Sequence, residues 1–524
     1  MKEMNSFRDA FAFMMSKGIA NSKKIINGEQ GNIFKDFVNN LAEVCTDKNI
    51  MDKKVAEMHK IYQKTKGEVY TPHKYIQKML DAIETYYPTY FEKKIKFYDG
   101  CCGVANAHVV LKEHLRKRLS HLYESDDDFQ RDIISSCLFG NDIQHRNILM
   151  GRRNVDPKGL VENNENFTCE DFKNLIGKFN DNEFPFSYTN PPYAISSTED
   201  KMSSRPRVDY GAFLKEMIRI TSDFCIFIHP IKSLANRTNT PRTNKAVRDI
   251  IMSGHIREIH FYDDITTKNS VFENTNISGG VCLYLYDKHY TGATKVRSYY
   301  NDFEFEEEMV KDLRECVDYP GFIYSATADS IIKKVRASED FIPLSSIVSG
   351  TKPFGIRNSY KGFSDTPTSK QNVLYYKKKK PNIAYVSTEE IKKNMDAVYK
   401  WKCFVPKTNR ASNTFPHQFY SRTDGLDVAI GVPNSCCSEG YFMVDGMEKY
   451  LYDENTCQNF VKYCNTKFHQ FLAYVSTLTQ DSWTNTYYHI PILDFTREWT
   501  DEDLKEKYNL SDEEMNFIDK MIVL

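Results

Sequence analysis

The chain has 524 residues, 41% of them hydrophobic and 27% charged, with a formal net charge of −1. At roughly 100–200 residues per domain this length provides for two to four domains with real cores, and the composition excludes an intrinsically disordered chain. A balance so close to neutral also excludes a globally basic nucleic-acid binder, so any such surface has to be local.

At the N-terminus the stretch MKEMNSFRDAFAFMMSKG is interrupted by Arg8 and Asp9 and lacks the features of a secretory signal. No run approaches the ~18 apolar residues of a membrane span, so the expectation is a cytoplasmic protein with no membrane contact. The thirteen cysteines include the adjacent pairs Cys101–Cys102 and Cys436–Cys437 but no C-x-x-C unit. That pattern favours reduced thiols over a zinc site, and no metal is expected.

Residues 1–60 read as a helical segment, with apolar positions such as Phe34, Phe37, Val38 and Leu41 suitably spaced. Over 61–300 short apolar runs alternate with helical stretches. Strands are predicted at Ile95–Tyr98, Cys137–Phe139, Phe184–Tyr188, Phe224–Ile228 and Gly280–Tyr286, with helices at Ala107–Leu119 and Tyr210–Ile220. The alternation predicts an α/β fold, a parallel sheet with helices on both faces and ligands beyond the carboxyl ends of its strands. A third region, 301–495, turns aromatic, basic and turn-rich. Its segment Thr351–Arg410 holds 14 Lys plus Arg against 4 Asp plus Glu. The tail, 496–524, is acidic and helical, and Thr500-x-x-Asp503 and Ser511-x-x-Glu514 have the form of capping boxes.

The sharpest motif is Asn190-Pro191-Pro192-Tyr193, directly after the run Phe184–Tyr188. Two prolines cannot continue a central strand, so the chain leaves the sheet here. Rigid prolines would hold the Asn190 side-chain oxygen and the Pro191 carbonyl as two acceptors for one exocyclic amine. This would free its lone pair for attack on a methyl sulfonium by positioning and electrostatics. Tyr193 would stack on a base flipped from a duplex. The plainer alternative is a proline turn that only ends a strand. Upstream, Asp99-Gly100-Cys101-Cys102-Gly103-Val104-Ala105-Asn106 follows a strand and opens a helix, a turn whose backbone amides can approach a cofactor. Asp142, followed by Ile143, ends another strand where a carboxylate can take both hydroxyls of a ribose. Asp171 and Phe172 offer an acceptor for an adenine amine and a ring to pack on it, and Thr71-Pro72 runs into a helix. Acids at strand ends also serve simply as helix caps.

In this order the motifs resemble those of the gamma class of DNA adenine methyltransferases of restriction–modification systems. In that class a T-P loop, a D-P-x-C-G-x-G-type turn, a strand-end acid, a D-F pair and N-P-P-Y precede a target-recognition domain. Later segments resemble the class too, among them Val208–Phe213, Ile226–Pro230, Ile277–Val281, Pro353–Arg357, Thr479-Gln480 and Trp499–Leu504, so the likeness runs through nearly all of the chain beyond about residue 60. Gly100 stands where the class usually has proline and Ala105 where it usually has glycine, and alanine adopts positive φ only at a cost. The long interval from Asp99 to Asp142 implies an added helix or insertion around Ser125–Gln130.

The resemblance implies a Rossmann-like S-adenosylmethionine-dependent methyltransferase sheet with N-terminal helices and a C-terminal mixed α+β target-recognition domain. It implies that Thr71, Pro72, Asp99, Gly100, Cys102, Gly103, Asn106, Asp142, Ile143, Asp171 and Phe172 bind the cofactor S-adenosylmethionine. Asn190, Pro191, Pro192 and Tyr193 would hold the adenine. The partner is double-stranded DNA, with a separately encoded restriction endonuclease as a further expectation, because neither a helicase P-loop nor a nuclease-like cluster of acids and Lys before residue 60 is found. Arg205, Arg207, Arg237, Arg242, Arg357, Lys402 and Arg410 are candidates for DNA contact, and Lys377–Lys380 is either a solvated run or part of that face. A protein-glutamine methyltransferase, a non-catalytic module and a modification subunit with a separate specificity chain are the competing readings. The long C-terminal region favours built-in recognition.

Overall fold

A computed structural model describes residues 70–162, 164–192, 211–234, 242–262, 271–272, 280–300, 305–316, 322–367, 373–376, 383–407, 415–420, 428–477 and 482–524. The helical segment expected over 1–60 lies outside them. The chain divides into two compact units, the first running to His229 and including Pro241–Ile259 and Leu283–Gly292, the second holding the remainder.

The first unit opens with α1 (His73–Tyr86), in which Tyr75, Ile76, Met79, Leu80 and Ile83 recur at helical spacing and are all buried. Then follow β1 (Phe97–Asp99), α2 (Asn106–Leu119), α3 (Asp126–Ser136), β2 (Leu138–Asn141), α4 (His145–Val155), β3 (Phe167–Thr168), α5 (Phe172–Leu175) and β4 (Phe184–Thr189). Beyond them come α6 (Gly211–Ile220), β5 (Thr221–Pro230), α7 (Arg242–Met252), β6 (Ile256–Tyr262) and β7 (Val281–Asp287). The strands lie in the order β3-β2-β1-β4-β5-β7-β6. Pairing is parallel from β3 through β2, β1 and β4 to β5. β1 and β7 are buried along their whole length, as expected of strands covered on both faces.

The five predicted strands are all present, with ends shifted by a few residues. Those missed have physical excuses. β3 has two residues, and the apolar run of β6 is broken by Arg257, Glu258 and His260. Glu258 is nevertheless buried and accepts from the Tyr86 hydroxyl at 2.9 Å. The insertion expected between Asp99 and Asp142 is α3, capped by the Ser125 hydroxyl, which accepts from Asp128 N–H at 3.1 Å.

The second unit contains the antiparallel hairpin β8 (Thr294–Tyr300) and β9 (Phe305–Lys311), then α8 (Ala326–Arg336). Neither strand of this hairpin is among those predicted; β9 is acidic, and Lys295 and Arg297 on β8 both reach its Glu308 at 3.1 Å. Further on are β10 (Val373–Tyr376), β11 (Ile383–Val386), α9 (Met395–Val398), β12 (Lys402–Pro406), β13 (Ala429–Gly431), β14 (Ser435–Cys437) and β15 (Tyr441–Val444). They form two three-stranded sheets, β11-β10-β14 and β13-β12-β15. α10 (Glu454–Cys464) and α11 (Lys467–Val475) supply Phe460, Tyr463, Phe468 and Phe471 to the main core of this unit. The chain closes with α12 (Asp501–Lys507) and α13 (Asp512–Met521), and both expected capping boxes are formed. Each is reciprocal, with Thr500 and Ser511 N–H donating to Asp503 and Glu514 at 2.8 Å. Cys101, Cys102, Cys137, Cys225, Cys403, Cys436, Cys437, Cys457 and Cys464 are in no disulfide, and among the described residues no helix is long and apolar enough to cross a membrane.

Candidate active site

Strand order determines where a ligand can sit. β1 lies between β2 and β4: the chain steps outward from β1 to β2 and β3 and then crosses back to place β4 on the other side of β1, a switch point at which sheets of this kind have a ligand crevice beyond the carboxyl ends of their strands. The register aligns Asp99 with Gly140 on β2 and with Tyr188 on β4. Asp142 and Asn190 therefore both lie two residues past the level of Asp99. Across these adjoining strand ends Thr71 is hydrogen-bonded to Asn106 and Asn190, Gly103 to Asp142, and Phe172 lies over Gly100; Pro72, Ile143, Asp171, Pro191 and Pro192 are their neighbours in the chain. Tyr193, Arg205, Arg207, Arg237 and Arg410 lie outside the described residues, as does the side chain of Arg242.

The turn after β1 is tight. Gly103 has φ +52°, and a Cβ there would stand 2.6 Å from the Tyr70 ring, so both conformation and approach demand glycine. Ala105 also adopts a left-handed conformation, φ 64° and ψ 33°, just before α2. The usual glycine is thus replaced by a residue that keeps the glycine-like backbone. Gly100 has an equally local cause, since a Cβ on it would meet the Phe172 ring at 2.5 Å. That ring is buried and stacked on Phe213 at 4.4 Å between centroids, with an interplanar angle of 12°.

The acids are already integrated into the backbone. Asp142 accepts from Gly103 N–H at 3.0 Å, from Gln144 N–H at 2.8 Å and from the Asn147 amide at 3.1 Å. Asp171 caps α5 through Lys173 N–H at 3.0 Å, so the capping alternative holds for it as a structural role. Ile143, beside Asp142, is 62% exposed, an apolar side chain presented to solvent next to polar acceptors. Asp99 is buried and accepts from Cys101 N–H at 3.0 Å. Burial, reinforced by the nearby charge of Asp142, holds its carboxyl well above the usual carboxylate range despite that bond. Burial likewise raises the thiols of Cys101 and Cys102, so neither is an activated nucleophile.

Asn141 was missed by the sequence reading. Its buried side chain donates to Gly100 O at 3.3 Å and Glu170 O at 3.0 Å, and accepts from Thr168 Oγ1 at 2.9 Å and Glu170 N–H at 3.1 Å. One amide thereby fixes the loops after β1 and β3. An asparagine beside a strand-end acid was the available signal.

Thr71 occupies the centre. It is buried, its carbonyl accepts from the Asn106 side chain at 3.0 Å, and its hydroxyl accepts from Tyr188 at 2.5 Å and from the Asn190 side-chain NH2 at 3.2 Å.

In the second unit Arg357 is exposed, and the adjoining Asn358 N–H donates to Glu439 at 3.1 Å. Lys402 corrects an expectation. It is fully buried on β12, and its ammonium donates to Lys400 O at 2.7 Å and to Val398 O and Val432 O at 3.3 Å, so it reaches no phosphate or base. Burial brings its pKa down to about 8. A residue not singled out in the sequence, Trp483, is 41% exposed, and Lys407 Nζ lies 5.7 Å from the centroid of its ring. The Trp483 main chain is held from both sides, by its own N–H to Thr486 Oγ1 at 3.1 Å and by Ser482 N–H to Lys407 O at 2.8 Å.

Parallel strands, a crevice beyond β1, a glycine turn and strand-end acids define a Rossmann-like fold of the methyltransferase kind. Residues 53–242 match the model of a family described as N-6 DNA Methylase, in agreement with the resemblance carried by the motifs. Among solved structures the chain is similar to the methyltransferase subunit of a type I restriction-modification system from Streptococcus thermophilus, at 15% identity and TM-score 0.36, over 59% of this chain and 61% of that one. It is also similar to the type IIG restriction endonuclease BpuSI, at 12% identity and TM-score 0.42, over 97% of this chain and 73% of that one. A third is the type IIL restriction-modification enzyme MmeI in complex with DNA, at 10% identity and TM-score 0.44, over 93% of this chain and 79% of that one. The chain thus spans less than two thirds of the length of the first of these. No curated protein matches it.

Proposed function

We propose that this protein is a site-specific DNA methyltransferase that transfers a methyl group from S-adenosylmethionine to N6 of an adenine flipped out of duplex DNA. The observation that carries the reading is the position of Asn190. It stands just past β4, alongside the crevice formed by the ends of β1 and β2, with its NH2 group held by Thr71 at 3.2 Å.

The residues at the crevice suit the cofactor's chemistry. Asp99 and Asp142 are paired acids whose proximity favours a cationic ligand, and exposed Ile143 offers an apolar surface for a purine ring. Thr71, the turn from Asp99 to Asn106, Asp142, Ile143, Asp171 and Phe172 would hold it. When bound, the cofactor supplies an electrophilic methyl group on a sulfonium. The chain's own part is to bind and orient. Asn190 Oδ1 and the Pro191 carbonyl accept the two amine hydrogens, drawing the nitrogen lone pair out of the ring system and towards the methyl carbon. Tyr193 stacks on the extruded base. The region 301–495 recognises the target, with Arg357, Trp483 and Lys407 on its DNA-facing surface, and duplex DNA is the partner. A separately encoded nuclease completes the restriction–modification system.

The test is direct. DNA from cells expressing the protein is digested to nucleosides for mass spectrometry and sequenced for modified positions. N6-methyladenine at one defined sequence is expected. N4-methylcytosine alone, or a methylated protein with unmodified DNA, defeats the proposal.

A further inference from the structure

We infer that Thr71 and Tyr188 are positioning residues that orient the Asn190 side-chain amide, so that its oxygen and not its NH2 group meets the amine of the target base. This role rests on the proposed adenine methylation.

An asparagine amide is nearly symmetric in shape, and a half-turn of its last torsion exchanges an acceptor for a donor. For a target amine the difference is decisive, because a donor facing a donor leaves both unpaired in a site closed to water. Something must therefore distinguish the two orientations, and the prolines that follow cannot, since they restrain main chain only. The Thr71 hydroxyl provides the distinction. Asn190 Nδ2 donates to its oxygen at 3.2 Å, which turns Oδ1 to the opposite limb of the planar amide. Tyr188 donates to the same oxygen at 2.5 Å from inside β4. Burial raises the Tyr188 pKa far above the usual phenol value, so the phenol stays protonated and able to donate. Tyr188 and Asn190 both donate to the Thr71 oxygen, so its two lone pairs are used and Asn190 meets it through the NH2 group. Asn106 fixes the threonine from the main-chain side, its amide donating to Thr71 O at 3.0 Å. Tyr188 is on the strand that delivers Asn190 and Thr71 is on the loop before α1, so the arrangement exists only once both have been packed together.

The experiment compares wild type, Thr71→Val, Thr71→Ser and Tyr188→Phe, using the DNA sequence mapped above. Cofactor affinity is measured by calorimetry, and kcat and KM for DNA are measured separately. Measured at saturating cofactor, Thr71→Val is expected to lower kcat on the order of 10- to 100-fold, the scale of a misplaced reacting group, a larger factor than any loss of cofactor affinity, with KM for DNA within threefold of wild type. Thr71→Ser keeps the acceptor and is expected to restore most of kcat. Tyr188→Phe, which removes one donor to Thr71, is expected to fall between the two. An active wild type with an equally active Thr71→Val overturns the inference. So does a Thr71→Val variant whose cofactor affinity falls by the same factor as kcat, or a Thr71→Ser variant as slow as Thr71→Val. A wild type that leaves DNA unmethylated overturns the functional reading itself, and this role with it.

Discussion

The main-chain N–H of Gly103 donates to Oδ2 of Asp142 at 3.0 Å, joining the turn after β1 to the end of β2. The carboxylate holds this turn in shape, and under the proposed function it also meets the cofactor. Asp142→Ala removes the acceptor for three N–H groups and the charge together. It is expected to weaken S-adenosylmethionine binding by ~1.5–3 kcal/mol, the worth of bonds to a charged group. Asn190→Ala is expected to abolish transfer with cofactor affinity preserved, since in the proposed reaction the amide serves the target base. Calorimetry beside a single-turnover assay distinguishes the two, and the opposite pattern would show that the two halves of the site have been exchanged.

Ala105 is buried at φ 64° with its Cβ against Gly151, where an added methyl would stand 3.1 Å away. For Ala105→Gly, relief of a left-handed backbone, ~1–2 kcal/mol, is offset by loss of a buried methyl, ~0.8 kcal/mol, and by glycine's greater entropy loss. The melting temperature is expected to stay within about 4 °C of wild type. Ala105→Val puts a β-branched side chain into a conformation it rarely adopts, in a space already full, and should cost more than about 2 kcal/mol. Equal melting temperatures for the valine variant and wild type would disprove the left-handed turn.

Three buried histidines predict acid sensitivity. Burial lowers His108 to about 4 and His469 and His489 to about 3, with Arg336 and Lys311 contributing at His489. In the unfolded chain each titrates near ~6.5. Between that value and the folded one the unfolded state binds more protons, so stability is fully present above about pH 6.5 and falls as the pH drops. Each histidine contributes up to ~1.4 kcal/mol per pH unit in that window. Urea unfolding from about pH 7 to about pH 4.5 should show the loss, and His469→Gln should flatten it. A slope unaltered by that substitution assigns the effect elsewhere.

The second unit makes opposite predictions for two lysine-containing positions once grouped together. Lys402→Met is expected to destabilise the fold by roughly 2–5 kcal/mol, because three carbonyls lose their buried donor. It should leave the salt dependence of DNA binding unaltered. Trp483→Ala and Arg357→Ala should weaken DNA binding with little change in melting temperature, and Arg357→Ala should relax preference at one base by ~1–3 kcal/mol if it reads a base edge. Replacing Lys377–Lys380 by alanine should flatten the salt dependence equally for cognate and scrambled duplexes, as loss of phosphate contacts requires. Salt titrations of all four variants decide these points. A flattened slope for Lys402→Met is incompatible with its carbonyl cage.

The sequence by itself determined whatever depends on near neighbours in the chain. The strand and turn leading to Asn190, the Asp99–Asn106 turn, the helix inserted at Ser125 and the two capping boxes at Thr500 and Ser511 are all local chemistry, legible from residue type and spacing. Only the tertiary structure decided which of these pieces meet. Thr71 and Asn190 are 119 residues apart and share a hydrogen bond because packing brings the loop before α1 to the end of β4, a meeting that no local pattern encodes. The same holds for Phe172 lying over Gly100, which makes glycine obligatory there. Lys402 shows the reverse. Within a basic, aromatic stretch it reads as surface, but β12 is covered by protein along its whole length, and its ammonium finds three carbonyls inside. Charge composition indicates how many cations a segment carries, and packing alone determines which of them face the solvent.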